Sequence, residues 1–146
     1  MLRTAALLLA LGATALLPAA ATAAPSVSVF PLLTSGAQPG AIAAAGDGTL
    51  WFTEPAKNKV GQVTTDGVVA ERPTWGSRFT DVAIDPTLGG MWFADEGDHG
   101  FTIGYAFAGA FLGSGGLGVT PTAVAPTPAG DVWFTEPSLN QIGKFT

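Results

Sequence analysis

The sequence predicts an all-β fold, a β-propeller of roughly 41-residue, four-stranded blades with about three blades present. Three observations lead there. Trp51, Trp92 and Trp133 recur at one spacing of 41 residues. Each stands in a matching segment: Leu50-Trp51-Phe52-Thr53-Glu54-Pro55, Met91-Trp92-Phe93-Ala94-Asp95-Glu96 and Val132-Trp133-Phe134-Thr135-Glu136-Pro137. The segments are short, rich in β-branched and aromatic residues, and bounded by Gly, Pro, Asp or Asn, which describes strands and hairpins and not helices.

Within each unit the elements follow in order. A short apolar strand comes first: Ala41-Ile42-Ala43, Val82-Ala83-Ile84 with one extra loop residue, and Ala123-Val124-Ala125. The tryptophan segment is the second strand. Its continuous apolar run suits a strand covered on both faces, as when sheets stack. The third strand is Lys59-Val60-Gly61-Gln62-Val63, then Thr102-Ile103-Gly104-Tyr105, then Gln141-Ile142-Gly143-Lys144-Phe145. Val68 to Glu71 supplies a fourth strand in the first unit. Asp47-Gly48 and Asp66-Gly67 are the turn dipeptides that tight hairpins need. In the second unit the fourth strand falls in a glycine-rich stretch, 108–118, which reads as a degenerate edge strand or a loop. The third unit stops at Thr146 within its third strand. Val27 to Leu32 resembles a fourth strand with no blade before it, and is expected to complete another sheet. Three blades do not close a ring, since known propellers have four to eight. A second copy completing the ring, or a longer protein of which this is a part, is therefore expected.

Residues 1–23 differ in kind from residues 24–146, which carry the repeat. Arg3 precedes an apolar stretch from Ala5 to Leu17, and small residues run from Pro18 to Ala24. This is the layout of a secretory signal peptide, with the cut expected after Ala23 in Ala21-Thr22-Ala23. The apolar part is shorter than the roughly 20 residues of a membrane span. A secreted, periplasmic or extracellular location follows, with no membrane association once the signal is cleaved. Without Arg3, 5 basic residues face 11 acidic ones, a net charge of −6. No basic patch is available for nucleic acid or an anionic membrane surface. Cysteine is absent, so neither disulfides nor thiolate chemistry enter.

Trp-Phe-Thr-Glu followed by Asn, Val/Ile-Gly and a Thr-ended strand resembles the blade repeat of the streptogramin B lyases (virginiamycin B lyases). The matching residues run from Trp51 through Asn58, Val60, Gly61 and Thr64, and again from Trp133 through Asn140, Ile142, Gly143 and Thr146. The likeness covers nearly all of residues 24–146. It implies a seven-bladed propeller that uses Mg²⁺ and linearises a cyclic depsipeptide antibiotic by elimination. It also implies a catalytic histidine at a Pro-His-Gly/Ala-Ile step entering an inner strand, aided by a glutamate and the metal. The positions matching that histidine here are Gly40, Thr80 and Thr122. Only Glu96, four residues after Trp92, matches the glutamate position of the family's last blade. The resemblance thus carries the scaffold without the base, and points to a binding or structural segment. An active lyase whose catalytic blades lie outside this chain is the alternative.

Other candidates come from the residues themselves. His99 is the sole histidine, and Asp95, Glu96, Asp98 and His99 cluster within five residues. Such a set could hold a hard cation or move a proton, or could be a solvated hairpin loop serving turn chemistry. Trp75 lies outside the repeat register, as a binding-mouth aromatic or as core-edge cover. Glu54 and Glu136, at equivalent places, read as architectural, because repeats need the same contact in each blade. No ligand or metal is named by these residues.

Overall fold

A computed structural model describes residues 25–74, 78–96, 102–107, 110–113, 118 and 120–146. It is all-β with three antiparallel sheets in sequence order. The first sheet holds β1 (Ile42–Ala44), β2 (Thr49–Glu54), β3 (Lys59–Thr64) and β4 (Val69–Pro73). The second holds β5 (Phe79–Ile84), β6 (Met91–Asp95), β7 (Thr102–Phe107) and β8 (Ala110–Gly113). The third holds β9 (Ala123–Pro126), β10 (Val132–Glu136) and β11 (Gln141–Phe145). Each sheet is a meander whose tryptophan strand is second, and the first strands β1, β5 and β9 neighbour one another in succession. This is the blade arrangement of a partial propeller. Among the described residues no helix is long and apolar enough to cross a membrane.

Turn chemistry sets the hairpins. Gly48 and Gly67 adopt φ of 83° and 86°, which a side chain would resist. Asp47 Oδ1 accepts from the Thr49 amide (3.0 Å) and the Thr49 hydroxyl (2.7 Å), closing the β1–β2 turn. Between the second and third strands, Glu-Pro opens a 3₁₀ turn (Pro55–Lys57 and Pro137–Leu139). Asn58 and Asn140 end these turns in the left-handed region, at φ 50° and 52°. The Pro fixes φ where the turn starts, and Asn tolerates the left-handed exit. The repeated Glu-Pro-x-x-Asn is thus one structural element.

The Trp-Phe pair divides its neighbours between the two faces of each blade. Trp51, Ala43 and Val60 of the first sheet meet Val82, Met91 and Phe93 of the second. Trp92, Ala83 and Ile103 of the second meet Val124, Val132 and Phe134 of the third. Trp92 adds an edge contact to Phe145, with ring centroids 6.0 Å apart. Phe79 lies against Phe93 with centroids 4.3 Å apart. The expectation that the repeated tryptophans form inter-blade core holds for Trp51 and Trp92. Trp133 differs: among the described residues no sheet lies over it, and it is 44% exposed.

Three expectations about strands are refined. The extra loop residue of the second unit lies in the β5–β6 hairpin, where 85–90 stand between the paired Ile84 and Met91, against 45–49 and 127–131 in the other sheets; a β-bulge between Phe79 and Asp81 is a separate irregularity. The glycine-rich stretch contains an edge strand, Ala110–Gly113, paired to β7. Val27 to Leu32 forms no strand, and Val27 and Val29 are almost fully exposed. The residues that follow, Leu33 and Thr34, give their amides to the Glu71 side chain of β4 and not to its backbone ladder. The Phe30 ring lies over Gly67, where a Cβ would stand 2.1 Å from its Cε1. The expected signal peptide, residues 1–23, lies outside the described residues.

Candidate functional site

The start of each first strand and the end of each second strand fall at one end of the sheets, because antiparallel pairing places them opposite each other. The Gly40 amide donates to the Thr53 carbonyl and the Thr122 amide to the Thr135 carbonyl, both at 3.0 Å. In the second sheet Phe79 pairs with Asp95, and Thr80 is the bulge residue whose hydroxyl donates to the Ala94 carbonyl at 3.3 Å. The three positions aligned with the family histidine therefore all stand at this end. The bulge shifts the second by one place, so that Phe79 is the residue directly across from the acid. The Thr122 hydroxyl is engaged with that of Thr135 at 3.0 Å.

Glu54, Asp95 and Glu136 close the second strands here, at 0%, 6% and 1% exposure. A buried carboxylate is costly unless hydrogen-bonded, and the copies meet that cost differently. Glu136 accepts from the Thr120 amide (3.1 Å) and from Gln141 Nε2 (2.6 Å). Lys59 holds the place of Gln141 in the first sheet. Its ammonium turns instead to Thr34 Oγ1 (2.5 Å) and Glu71 Oε2 (3.2 Å). Neither oxygen of Glu54 has a hydrogen-bond partner among the described residues. Burial pushes the Glu54 carboxyl up, and the nearby negative charge of Glu71 pushes it further, with Lys59 opposing.

Glu71 has the opposite fate. Burial alone would raise its pKa, but it accepts from the amides of Leu33 (2.7 Å) and Thr34 (3.0 Å), from the Thr34 hydroxyl and from Lys59. These donors hold it down at about 2. The first blade thus pairs an acid whose pKa is raised with one whose pKa is lowered. The sequence reading missed Glu71, whose partners Leu33 and Thr34 lie 38 and 37 residues upstream with no motif linking them.

Of the residues singled out from sequence, Glu96 is at this end. Its carboxylate meets Arg78 Nη2 at 2.9 Å, and its amide donates to the Arg78 carbonyl at 2.9 Å. Asp95 is beside it but buried. Asp98, His99 and Trp75 lie outside the described residues. Among the described residues no group of three His, Cys, Asp or Glu side chains could hold a metal. The nearest acidic pair, Glu54 with Glu71, has Lys59 as its cation. These residues do not fit the Mg²⁺ that the family resemblance implies, and no step is derived through it. Chemically, this end offers hydroxyls, a guanidinium, carboxylates held by donors, and in Glu54 one buried carboxyl without a hydrogen-bond partner among the described residues.

No protein-family model matches the chain, and no curated protein matches it. Solved structures do. A catalytically inactive variant of virginiamycin B lyase from Staphylococcus aureus, determined with quinupristin, is similar at 28% identity and a TM-score of 0.70. The selenomethionine-substituted enzyme from the same organism gives 28% and 0.69. Both alignments cover 80% of this chain and 41% of that chain, so the chain spans about two fifths of the length of those relatives. A streptogramin B lyase structure at 20% identity and a TM-score of 0.50 shares the fold. The chain is a partial homologue of the virginiamycin B lyase β-propellers.

Proposed function

We propose that the chain is an exported propeller segment of the virginiamycin B lyase type that binds or supports and does not itself catalyse. One observation carries this reading. The three positions aligned with the family's histidine are Gly40, Thr80 and Thr122, and their backbones or hydroxyls bond to the neighbouring strand. None of these side chains takes up a proton near neutral pH. Incubation of the chain with a streptogramin B and Mg²⁺ should leave the cyclic depsipeptide intact; a linear product would refute the reading. Export is supported by the layout of residues 1–23 and predicts a mature N-terminus at Ala24, to be read by N-terminal sequencing of the secreted protein.

A second reading is favoured by the 41% coverage of the relatives. Here the chain is part of an active, Mg²⁺-dependent lyase whose base lies in other blades. In-frame coding sequence beyond Thr146 with a Pro-His-Gly-Ile step and a later glutamate would support it. A stop codon directly after Thr146 would favour the non-catalytic reading.

A further inference from the structure

We propose that the Trp133 face of the third sheet docks the Ile42 face of the first sheet of a second copy, repeating head-to-tail the interface that joins the sheets within one chain. Inside the chain this interface occurs twice. Each time the face bearing the second-strand tryptophan meets the face bearing the next sheet's second-strand phenylalanine. The recurring partners on the phenylalanine side are Val82, Met91 and Phe93, then Val124, Val132 and Phe134. The strand register makes Ile42, Leu50 and Phe52 their counterparts in the first sheet.

Among the described residues one face of each kind is without a facing sheet. On the third sheet Trp133 is 44% and Ile142 70% exposed, beside Ala123 and Ala125 in an apolar hollow. On the first sheet Ile42 is 61% exposed and Leu50 and Val63 are half-buried, while Phe52 is already buried against Gly61. Apolar faces of this kind ask to be covered. The surface that covers a tryptophan face in this molecule is a phenylalanine face, and the first sheet carries one that is open at Ile42, while Leu33 and Thr34 sit on its β3–β4 side through Glu71 and Lys59. The contact is heterologous, because the two faces differ. Closed between two copies it would bring six sheets into one ring, within the four to eight of known propellers. Charge does not oppose it: Lys144, over the Trp133 ring at 5.9 Å, is paired to Asp131 at 3.4 Å at the edge of the hollow.

The heterologous geometry has a test of its own, independent of any lyase activity. Light scattering on the full chain should give at least twice the monomer mass. Trp133→Glu and Ile42→Glu should each give folded monomers by circular dichroism. Mixing the two variants should restore a species of twice the monomer mass, since each supplies the face the other lacks. Should Trp133→Glu fail to fold, Ile142→Glu probes the same face from a more exposed position. A monomeric wild type, association that survives the substitutions, or failure of the folded variants to complement would each overturn the proposal. Discovery of a further blade of the same polypeptide seated on Trp133 would overturn it as well.

Discussion

The Phe93 ring occupies the space in which a side chain on Gly104 would stand. A Cβ there would lie 2.0 Å from Phe93 Cζ. Phe52 stands the same way over Gly61 and Phe134 over Gly143, at 1.9 and 2.1 Å. Second-strand Phe and third-strand Gly are register partners in all three sheets. The repeated Trp-Phe and Val/Ile-Gly motifs are therefore two halves of one contact.

Gly104→Ala should displace the Phe93 ring from its place between Gly104 and Phe79. The expected cost is about 1 to 3 kcal/mol, the range for overpacking a filled core. Urea denaturation measures it. Gly46→Ala, where a Cβ meets nothing within 4 Å, is the control and should change little. Equal effects at both sites would refute the contact's role.

Glu54→Gln should stabilise the protein near neutral pH. The folded pKa of Glu54 is raised, so its neutral form favours the fold. That contribution is fully present below the unfolded value and is lost as pH rises through the folded pKa. Glutamine keeps the shape, carries no charge, and can donate to the neighbouring Glu71 carboxylate. The variant's advantage in thermal midpoint should be clear at pH 8 and shrink at pH 4. An advantage that does not vary with pH would count against a raised pKa.

Glu71→Gln should act the other way. The folded pKa is depressed to about 2, so the stabilisation is present above the unfolded value near 4.5 and is lost as pH falls towards 2. The substitution removes charge-assisted acceptance from Leu33, Thr34 and Lys59, each such bond being worth about 1.5 to 3 kcal/mol. Amide exchange at Leu33 and Thr34 should accelerate in the variant. Unchanged protection of these two amides would contradict the arrangement.

Asp85→Ala should loosen the second sheet. One carboxylate oxygen accepts from the Thr87 and Leu88 amides, and the other from Trp92 Nε1, all at 2.8 Å. Removal leaves the indole N–H and the turn amides without that acceptor, at a cost of about 2 to 3 kcal/mol. The Trp92 indole N–H resonance should shift in the NMR spectrum of the folded variant, which reports this one of the four tryptophans directly. An unaltered spectrum and stability would exclude this role.

Local pattern carried much of this molecule. The 41-residue spacing of Trp51, Trp92 and Trp133, the strand segments around them and the Asp-Gly turns are readable because strand period and turn chemistry are properties of neighbouring residues. The extra loop residue between Ile84 and Met91 was visible from the spacing, though the bulge between Phe79 and Asp81 was not. At the candidate site, the shared place of Glu54, Asp95 and Glu136 could be read from the repeat. Their different environments could not, because the partners come from other strands and segments: Thr120 for Glu136, and Thr34 for the Glu71 that crowds Glu54.

The sequence by itself determined that the chain repeats, that the repeats are four-element β units, and that Gly40, Thr80 and Thr122 stand where the family's histidine would. Short-range sterics and hydrophobic alternation suffice for that. Only the tertiary structure decided which acid is satisfied and which is left without a donor, and which tryptophan is covered. Desolvation and face-to-face packing depend on what lies across space. Identical motifs at Trp51 and Trp133 thus end as a covered, partly buried contact in one case and an open face in the other.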